Sequence, residues 1–506
     1  MTPTTIAPRP LKLAPHPPAL AWIEAVVALV LLMVLGGFLA LAPLAWGVLL
    51  IVGAAGGVLL LRNPTLGLYA LAIAVPFGSL RTLNMGGLTA SAAQVMLAAF
   101  LGAWVLQALA YRDLRVGRSR LTLALVAWVG VMALSLLRAQ ALPAALSELL
   151  KWVQVTILFL YVAGRVSWGE RRWLVLFLLL GGLAQGALGI YQFLARIGPP
   201  GFLLMGQYMR AHGTFGQPNP YGGYLGLILP LAYAYALTHW RVWLWPVGRL
   251  SLADRLLWPL AVGATAVMAA ALIMSWSRGA LLGFLAGAAL VTLALARRIW
   301  PVLLVVGLVL LVTLPLWQTQ VPISYLARLD NTTAYLGQDL ALVEIDDDNF
   351  AIVERLAHWD AAWQMFSRRP WLGVGIGQYA VEYPAVALPR WQDPLGHAHN
   401  YYLHTLAETG LLGLAAYLIV LLSALALAWR RARSFGLWPR ALGLGALGML
   451  GHLMGHSLVD NLYVQEIYLL IAIILGMLVA PLFRSPCSEQ AALAPQPTIR
   501  SCADES

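Results

Sequence analysis

One stretch of the chain places several side chains that can bind substrate or transfer a proton close together. It runs from His397 through His399, Asn400 and His404 to Glu408. Histidine, with an ordinary pKa of about 6.5, is a natural proton acceptor near neutral pH. Asn is a favoured helix N-cap, so we expect a helix to begin at Asn400 with free backbone N–H groups at its start. The stretch predicts either a general-base site or a polar cluster without a reaction.

Two further segments each place an arginine close to a predicted helix start. Arg210 is followed by His212 and by Asn219, and Asn219 with the next proline predicts an N-cap and a first helical residue. Arg278 lies in the sequence Ser-Trp-Ser-Arg-Gly-Ala, in a tight turn between two apolar runs. Guanidinium groups suit phosphates, at about 1.5–3 kcal/mol per charged hydrogen bond. These arginines predict a diphosphate site, with snorkelling to the membrane surface as the alternative for Arg278.

Two other groups of polar residues are weaker candidates for a metal site. Residues 346–348 are three aspartates with the Asp-x-Asp spacing of a divalent-cation site, but an acidic run in a loop is usually only solvated. His452, His456 and Asp460 share a helix face through their i, i+4 and i+8 spacing. That face is typical of a polar lining, a zinc site or simple helix packing. We favour helix packing for this face and solvation for the acidic run. We therefore expect neither a metal nor a cofactor.

The composition indicates that these residues are carried by membrane helices. Of the 506 residues, 61% are apolar and 10% are charged, whereas soluble domains are about 45–50% apolar and about 25% charged. The net charge of +11 comes from arginines in short loops between apolar runs, so nucleic acid is not an expected partner. Only two cysteines occur, both in the C-terminal tail, which excludes a disulfide framework.

Apolar runs of the length that crosses a bilayer recur along the chain and predict an all-α polytopic membrane protein with about 14 (12–14) transmembrane helices. The run at 65–80 is short and contains Pro76. The runs lie at 22–41, 44–61, 65–80, 91–110, 121–137, 145–164, 172–195, 221–240, 256–275, 278–298, 299–316, 409–429, 441–459 and 464–483.

The arginine distribution predicts the orientation of these helices. Loops on one side carry most of the basic residues, so both termini are expected in the cytoplasm, and Arg210, Arg278 and His399 on the outer face. The outer loop at 317–408 contains helix-like sequence from Asn349 to Ser367 and is expected to be ordered over the membrane surface. The expected organisation is a tail at 1–20, N-terminal membrane helices at 21–195, an outer loop at 196–220, central membrane helices at 221–316, the large outer loop at 317–408, C-terminal membrane helices at 409–483 and a tail at 484–506.

Over roughly residues 200–475 the chain resembles the O-antigen ligases and the related O-antigen polymerases. The pattern His, Asn, nine residues, Gly, two residues, Gly at 399–413 is similar to their signature. The Ser-x-Ser-Arg-Gly-Ala sequence and the block from Arg355 through Trp359 to Gly377 are similar to other family blocks. The resemblance implies a glycosyltransferase of the C class that uses glycans linked to undecaprenyl diphosphate, without metal or nucleotide sugar. It also implies that His399 is the base or positions the acceptor.

By the same resemblance, Arg210 and Arg278 are expected to clamp the diphosphate. The expected reaction transfers an oligo- or polysaccharide, with inversion, to an acceptor hydroxyl on the periplasmic face of a bacterial inner membrane. A lipid A core sugar is the preferred acceptor; glycan polymerisation and transfer to protein Ser or Thr are the alternatives. A transporter is a more distant alternative, but the charges and paired broken helices that it requires are not evident. The residues expected to bind substrate are His397, Asn400, Glu408, Arg355, His212 and Asn219.

Overall fold

The computed structural model describes residues 44–80, 82–85, 88–113, 116–204, 206–244, 252–295, 335, 338–340, 342–346 and 349–479. The chain divides after Pro64, and the first unit contributes helix α1 (Leu44–Arg62). All other described elements belong to the second unit. Its helices are α2 (Thr65–Ala74), α3 (Ala92–Tyr111), α4 (Arg120–Ser135), α5 (Leu142–Arg165), α6 (Trp168–Ala195), α7 (Pro218–Leu244), α8 (Leu252–Met274), α9 (Arg278–Leu295), α10 (Phe350–Arg368), α11 (Tyr379–Glu382), α12 (Tyr401–Ala432), α13 (Leu437–His456) and α14 (Ile467–Leu478).

Two small antiparallel hairpins interrupt the helices of the second unit. Strands β1 (Thr82–Met85) and β2 (Leu88–Ser91) pair with Thr82 opposite Ser91. Strands β3 (Leu203–Leu204) and β4 (Tyr208–Met209) pair with Leu203 opposite Met209. The second hairpin lies just before Arg210 and so helps to place it.

The chain is an all-α membrane protein, as the sequence predicted. Within the described residues, seven helices are long and apolar enough to cross a membrane. The predicted runs at 22–41 and 299–316 lie outside the described residues, and the total of 14 stays a prediction. The seven candidate spans are Ala92–Tyr111, Arg120–Arg138, Leu142–Arg165, Trp168–Ala195, Leu252–Met274, Arg278–Leu295 and Tyr401–Ala432.

Local sequence signals set several helix ends. Ser91, Ser119 and Ser167 each cap a helix by accepting a hydrogen bond from the backbone three residues on, and that residue's side chain bonds back. The run at 65–80 is α-helical only to Ala74 and continues as a 3₁₀ helix around Pro76, whose ring does not fit a helix interior. The position of this run was therefore predicted correctly from the sequence, but the change from α-helix to 3₁₀ helix was not.

Glycines bring α13 into close contact with α7 and α9. A Cβ added at Gly226 of α7 would lie 1.9 Å from the ring of His452, and one at Gly287 of α9 would lie 2.4 Å from the carbonyl oxygen of Gly448. Small residues are the usual means by which membrane helices approach each other, since lipid provides no hydrophobic driving force between them. This packing brings the N-terminal end of α9 beside the C-terminal end of α13.

The opposite end of the second unit is held by arginines. Arg171 is fully buried and donates to the carbonyl oxygens of Met477 and Val479 at 2.7 and 2.6 Å. Arg431 donates to the carbonyl oxygen of Leu478 at 2.8 Å. These bonds satisfy carbonyl groups at the end of α14 that have no partner within the helix.

Candidate functional site

Helix α12 is folded back on itself at Gly410. This glycine has φ 66° and ψ −163°, far from helical values. The rings of Tyr401 and Tyr417 have centroids 5.2 Å apart, although a straight helix would separate these residues by about 24 Å along its axis. The segments 401–409 and 411–432 therefore lie side by side. The sequence predicted a span at 409–429 and did not predict this fold.

The break at Gly410 frees backbone groups that a neighbouring segment satisfies. We call residues 370–379 the strap. The amide of Leu411 donates to the carbonyl oxygen of Pro370 at 2.8 Å, and the amide of Val374 donates to that of Ala407 at 2.9 Å. A membrane protein tolerates non-helical backbone where protein groups take up its hydrogen bonds. The strap supplies those bonds.

The junction between the strap and α12 requires glycine at two positions. Gly373 and Gly410 both have positive φ, a conformation that side chains with a Cβ disfavour. A Cβ at Gly373 would lie 2.4 Å from the carbonyl oxygen of Ala407, and one at Gly410 would lie 2.4 Å from the backbone of Trp371. At Gly410 the backbone of α12 is therefore in close contact with the backbone of the strap.

Glu408 ties the strap to α12. Its carboxylate accepts hydrogen bonds from the amides of Gly377 and Tyr379, both at 2.9 Å, and lies 3.7 Å from Nε2 of His404. The side chain is buried, so these bonds replace the water that the carboxylate loses. The described contacts of the Glu408 carboxylate are with the strap and His404, so this side chain positions the backbone of the strap.

His399 has a strained backbone at the point where α12 begins. Its φ is +50°, in the left-handed region that residues other than glycine seldom adopt. Asn400 caps the helix by accepting from the amides of Tyr402 and Leu403 at 3.0 and 3.1 Å, as the sequence predicted. The amide of Tyr401 donates to the carbonyl oxygen of Ser457 at 2.9 Å, which joins this start to the end of α13. Such outliers are often found at functional sites.

Three imidazole rings surround the carboxylate of Asp460. Its Oδ1 lies 3.6 Å from Nδ1 of His399 and 4.0 Å from Nε2 of His397, and its Oδ2 lies 3.9 Å from Nε2 of His456. Both ring nitrogens of His399 are buried and have no hydrogen-bond partner among the described residues. Buried polar atoms are normally paired, so a polar ligand group would complete the environment of His399.

Helix α10 and the strap form the other wall beside His399. The ring of His358 lies 5.6 Å from that of His399 and stacks on Tyr383 at 4.8 Å. The Nδ1 of His358 lies 3.0 Å from the hydroxyl of Tyr379, and the indole of Trp359 donates to the carbonyl oxygen of His399 at 3.5 Å. His358 and Tyr379 were not among the residues predicted from the sequence. The alternating glycines of the strap were the available signal, but they do not specify a partner.

Burial sets the charge state around Asp460. Burial, together with the neighbouring His399, lowers the pKa of His358 to about 4 and that of His397 to about 3. Burial alone would raise the pKa of Asp460, but the imidazoles of His399 and His456 outweigh it and hold that pKa well below its ordinary value. At neutral pH the site is therefore an ionised carboxylate, with His358 and His397 neutral beside it.

Arg210 joins its own segment to the turn before Arg278. Its Nε donates to the carbonyl oxygen of Ser275 at 3.0 Å, and its Nη2 donates to Oδ1 of Asn219 at 3.3 Å. Trp276, in the same turn, has φ +51°. Arg278 is exposed and is the first residue of α9. The structure therefore brings the two arginine segments together, as the sequence predicted.

The turn at Arg278 also packs against the turn that carries Asp460. A Cβ on Gly279 would lie 2.8 Å from Val459 and 3.3 Å from the ring of His456. From the other side, Nε of Arg355 donates to the carbonyl oxygen of Val459 at 3.3 Å. The α9 start, the α13 end and helix α10 thus meet at Val459, next to Asp460. Through these contacts the segments that carry Arg210, Arg278 and His399 lie at the same end of the second unit.

Two of the residues predicted to bind substrate, His212 and Asn219, have hydrogen-bond partners within the protein. The Nδ1 of His212 lies 3.2 Å from the carbonyl oxygen of Arg210, and its amide donates to Oε1 of Gln192 at 3.2 Å. Asn219 is not an N-cap, contrary to expectation, because α7 begins at Pro218. The proline cannot donate a backbone hydrogen bond and therefore suits the first turn. Asn219 lies inside that turn and accepts from Arg210.

One set of side chains has the arrangement of a metal site that was not anticipated from the sequence. Ligand atoms of His397, His399 and Asp460 lie within 4.8 Å of one another. However, the amide of His399 donates to Nδ1 of His397 at 3.1 Å, so neutral His397 carries its proton on Nε2, the atom that faces Asp460. That tautomer does not suit a metal ligand. In the acidic run, Asp346 accepts from the amide of Asn349, and residues 347 and 348 lie outside the described residues.

Part of the chain matches a known protein family. Residues 263–418 match the family described as O-antigen ligase. The matched segment makes up about a third of the chain and is similar to the O-antigen ligases. The matched segment contains Arg278, the strap, His399 and the break at Gly410, whereas Arg210 and Asp460 lie beyond its ends. A search of curated proteins found no match.

Proposed function

We propose that the chain is a member of the O-antigen ligase superfamily and transfers an oligo- or polysaccharide from undecaprenyl diphosphate to an acceptor hydroxyl. The family match supports glycosyl transfer in a membrane. The observation that carries the proposal is the His399–Asp460 pair, which lies beside the turn that starts with Arg278. The proposed acceptor is a lipid A core sugar, and the proposed location is the periplasmic face of the inner membrane, with both termini in the cytoplasm.

In the proposed reaction, His399 is the general base. Its Nδ1 faces the ionised Asp460, so a proton on Nδ1 is stabilised there and Nε2 keeps its lone pair for the acceptor hydroxyl. The hydroxyl oxygen attacks the anomeric carbon from the side opposite the diphosphate while its proton passes to Nε2. The bond between the anomeric carbon and the diphosphate oxygen breaks, and the anomeric configuration inverts.

The arginines are proposed to stabilise the leaving diphosphate. Arg278 is exposed at the N-terminus of α9, where both its charge and the helix dipole favour an anion. Arg210 is oriented by the carbonyl oxygen of Ser275, so its remaining N–H groups have a defined direction. Charge that develops on the leaving group is then met by donors already in place. No metal or cofactor is required by this scheme.

Three alternatives remain beside ligation to a lipid A core sugar: glycan polymerisation, transfer to a protein, and transport. Glycan polymerisation and transfer to a protein would use the same base and clamp, and they differ only in the hydroxyl supplied. A broken helix is also a feature of transporters. Here the groups freed at Gly410 bond to the strap instead of lining a path, so the break does not favour transport.

The direct test uses the purified chain in lipid nanodiscs with an undecaprenyl-diphosphate-linked glycan. We expect glycan transfer when lipid A core is added, and free undecaprenyl diphosphate as the second product. Product on a growing lipid-linked glycan instead would assign the polymerase reaction. Absence of transfer with lipid A core, glycan and protein acceptors alike would contradict the proposal.

A further inference from the structure

Two large aromatic side chains protrude from the wall that α10 and the strap form. Trp363 on α10 is 54% exposed, and Trp371 in the strap is 66% exposed. Arg368, between them in sequence, is also exposed, and Arg369 is half-buried. Burying a tryptophan side chain would contribute a few kcal/mol, so two exposed ones beside arginines indicate a surface with a partner.

The depth of Trp371 relative to a membrane follows from α12. The apolar segment from Leu411 to Trp429 is about 28 Å long, which matches a hydrocarbon core of about 30 Å. Leu411 and Leu412 are 42% and 44% exposed, as expected for side chains that face lipid. The basic residues Arg430 and Arg431 end this segment, so its opposite boundary lies at Leu411.

Trp371 lies at that boundary. Its carbonyl oxygen accepts a hydrogen bond from the amide of Leu412 at 3.3 Å. Tryptophan is enriched at the interface between lipid headgroups and hydrocarbon, because the ring is apolar and its N–H needs a partner. Arginines at the same level suit lipid phosphates. The exposed side chain of Trp371 thus lies next to the lipid-facing residues of α12.

We propose that Trp363, Trp371, Arg368 and Arg369 form an interfacial anchor that rests on the bilayer leaflet nearest His399. The partner is the phospholipid surface itself, with the indoles at the headgroup level and the guanidinium groups on the phosphates. The anchor holds α10 and the strap, and with them Trp359 and His358, at a fixed depth. This inference depends on the membrane fold and not on the proposed reaction.

The test measures depth by site-directed spin labelling in the full chain. Cys487 and Cys502 are replaced by serine, and single cysteines are introduced as W363C, W371C and R368C in nanodiscs of phosphatidylethanolamine and phosphatidylglycerol. Controls are D393C, in an exposed loop, and L422C, which is exposed within the apolar segment of α12. Relaxation by oxygen reports lipid, and relaxation by a water-soluble nickel chelate reports water.

We expect labels at 363 and 371 to be relaxed by nickel at least about threefold less than the label at 393, and by oxygen more, as for an interface. The label at 368 should fall between positions 371 and 393. Nickel relaxation at 363 and 371 equal to that at 393 would overturn the proposal. So would protection that appears only when a soluble glycan is added, because the tryptophans would then bind sugar and not lipid.

Discussion

Nδ1 of His399 lies 3.6 Å from Oδ1 of Asp460, although the two residues belong to segments on either side of α12 and α13. His397 and His456 approach the same carboxylate, so Asp460 faces three imidazole rings at once. An ionised carboxylate at this point favours one orientation and one tautomer of His399. Nε2 of His399 has no hydrogen-bond partner in the part of the chain that the structure describes, so it is the ring atom proposed to meet a hydroxyl.

The role of Asp460 is tested by Asp460→Asn. The amide keeps the size of the side chain but removes the charge that stabilises a protonated His399. We expect transfer to fall by about 10²-fold or more, with donor binding retained. The control is Asp360→Asn on α10, whose carboxylate bonds to Gln364 and not to the histidines. Transfer rates measured at saturating donor decide the matter; equal rates for the two variants would remove Asp460 from the mechanism.

The role of Glu408 is tested by Glu408→Gln. Its carboxylate accepts from two backbone amides, whereas glutamine would turn an NH₂ donor toward one of them. We expect a loss of about 1–3 kcal/mol from the strap junction and faster hydrogen exchange at residues 370–379. The matched control is Glu382→Gln, whose carboxylate bonds to the side chain of Gln140 near the surface. Unchanged exchange in Glu408→Gln would show that the carboxylate does not hold the strap.

Metal dependence can be tested on the unmodified chain. Since the tautomer of His397 places a proton between it and Asp460, we expect transfer to continue in excess EDTA. The measurement is the initial rate before and after chelation, with Mg²⁺, Mn²⁺ or Zn²⁺ added back separately. Loss of activity that one of these ions restores would make His397, His399 and Asp460 a catalytic metal site, and the metal-free scheme would be wrong.

The helices and the cap at Asn400 were predictable because they depend on local sequence. Hydrophobic length sets the spans, and an asparagine before a helix satisfies its first amides. The contact between His399 and Asp460 was not predictable, since it depends on how α12 and α13 pack. Asp460 was assigned to a helix face with His456, but α13 ends at His456.

The strap shows a second limit of the sequence. The glycines of the strap indicate an unusual backbone conformation. The amides of the strap, however, donate hydrogen bonds to the carbonyl groups of residues 407 and 408, which only the fold at Gly410 exposes. A continuous helix would have hidden those groups. The span predicted at 409–429 therefore agreed with the apolar pattern but missed the segment that folds back.

The most direct test of the central claim compares His399→Ala, His399→Gln and Arg278→Lys for glycan transfer and donor binding side by side. If His399 is the base, both His399 variants should lose about 10²–10⁴-fold in transfer at saturating donor and still bind the donor. Arg278→Lys should weaken donor binding, because lysine keeps the charge but loses the planar fork. Near-normal transfer by His399→Gln would contradict the account, since the residue would then only shape the start of α12.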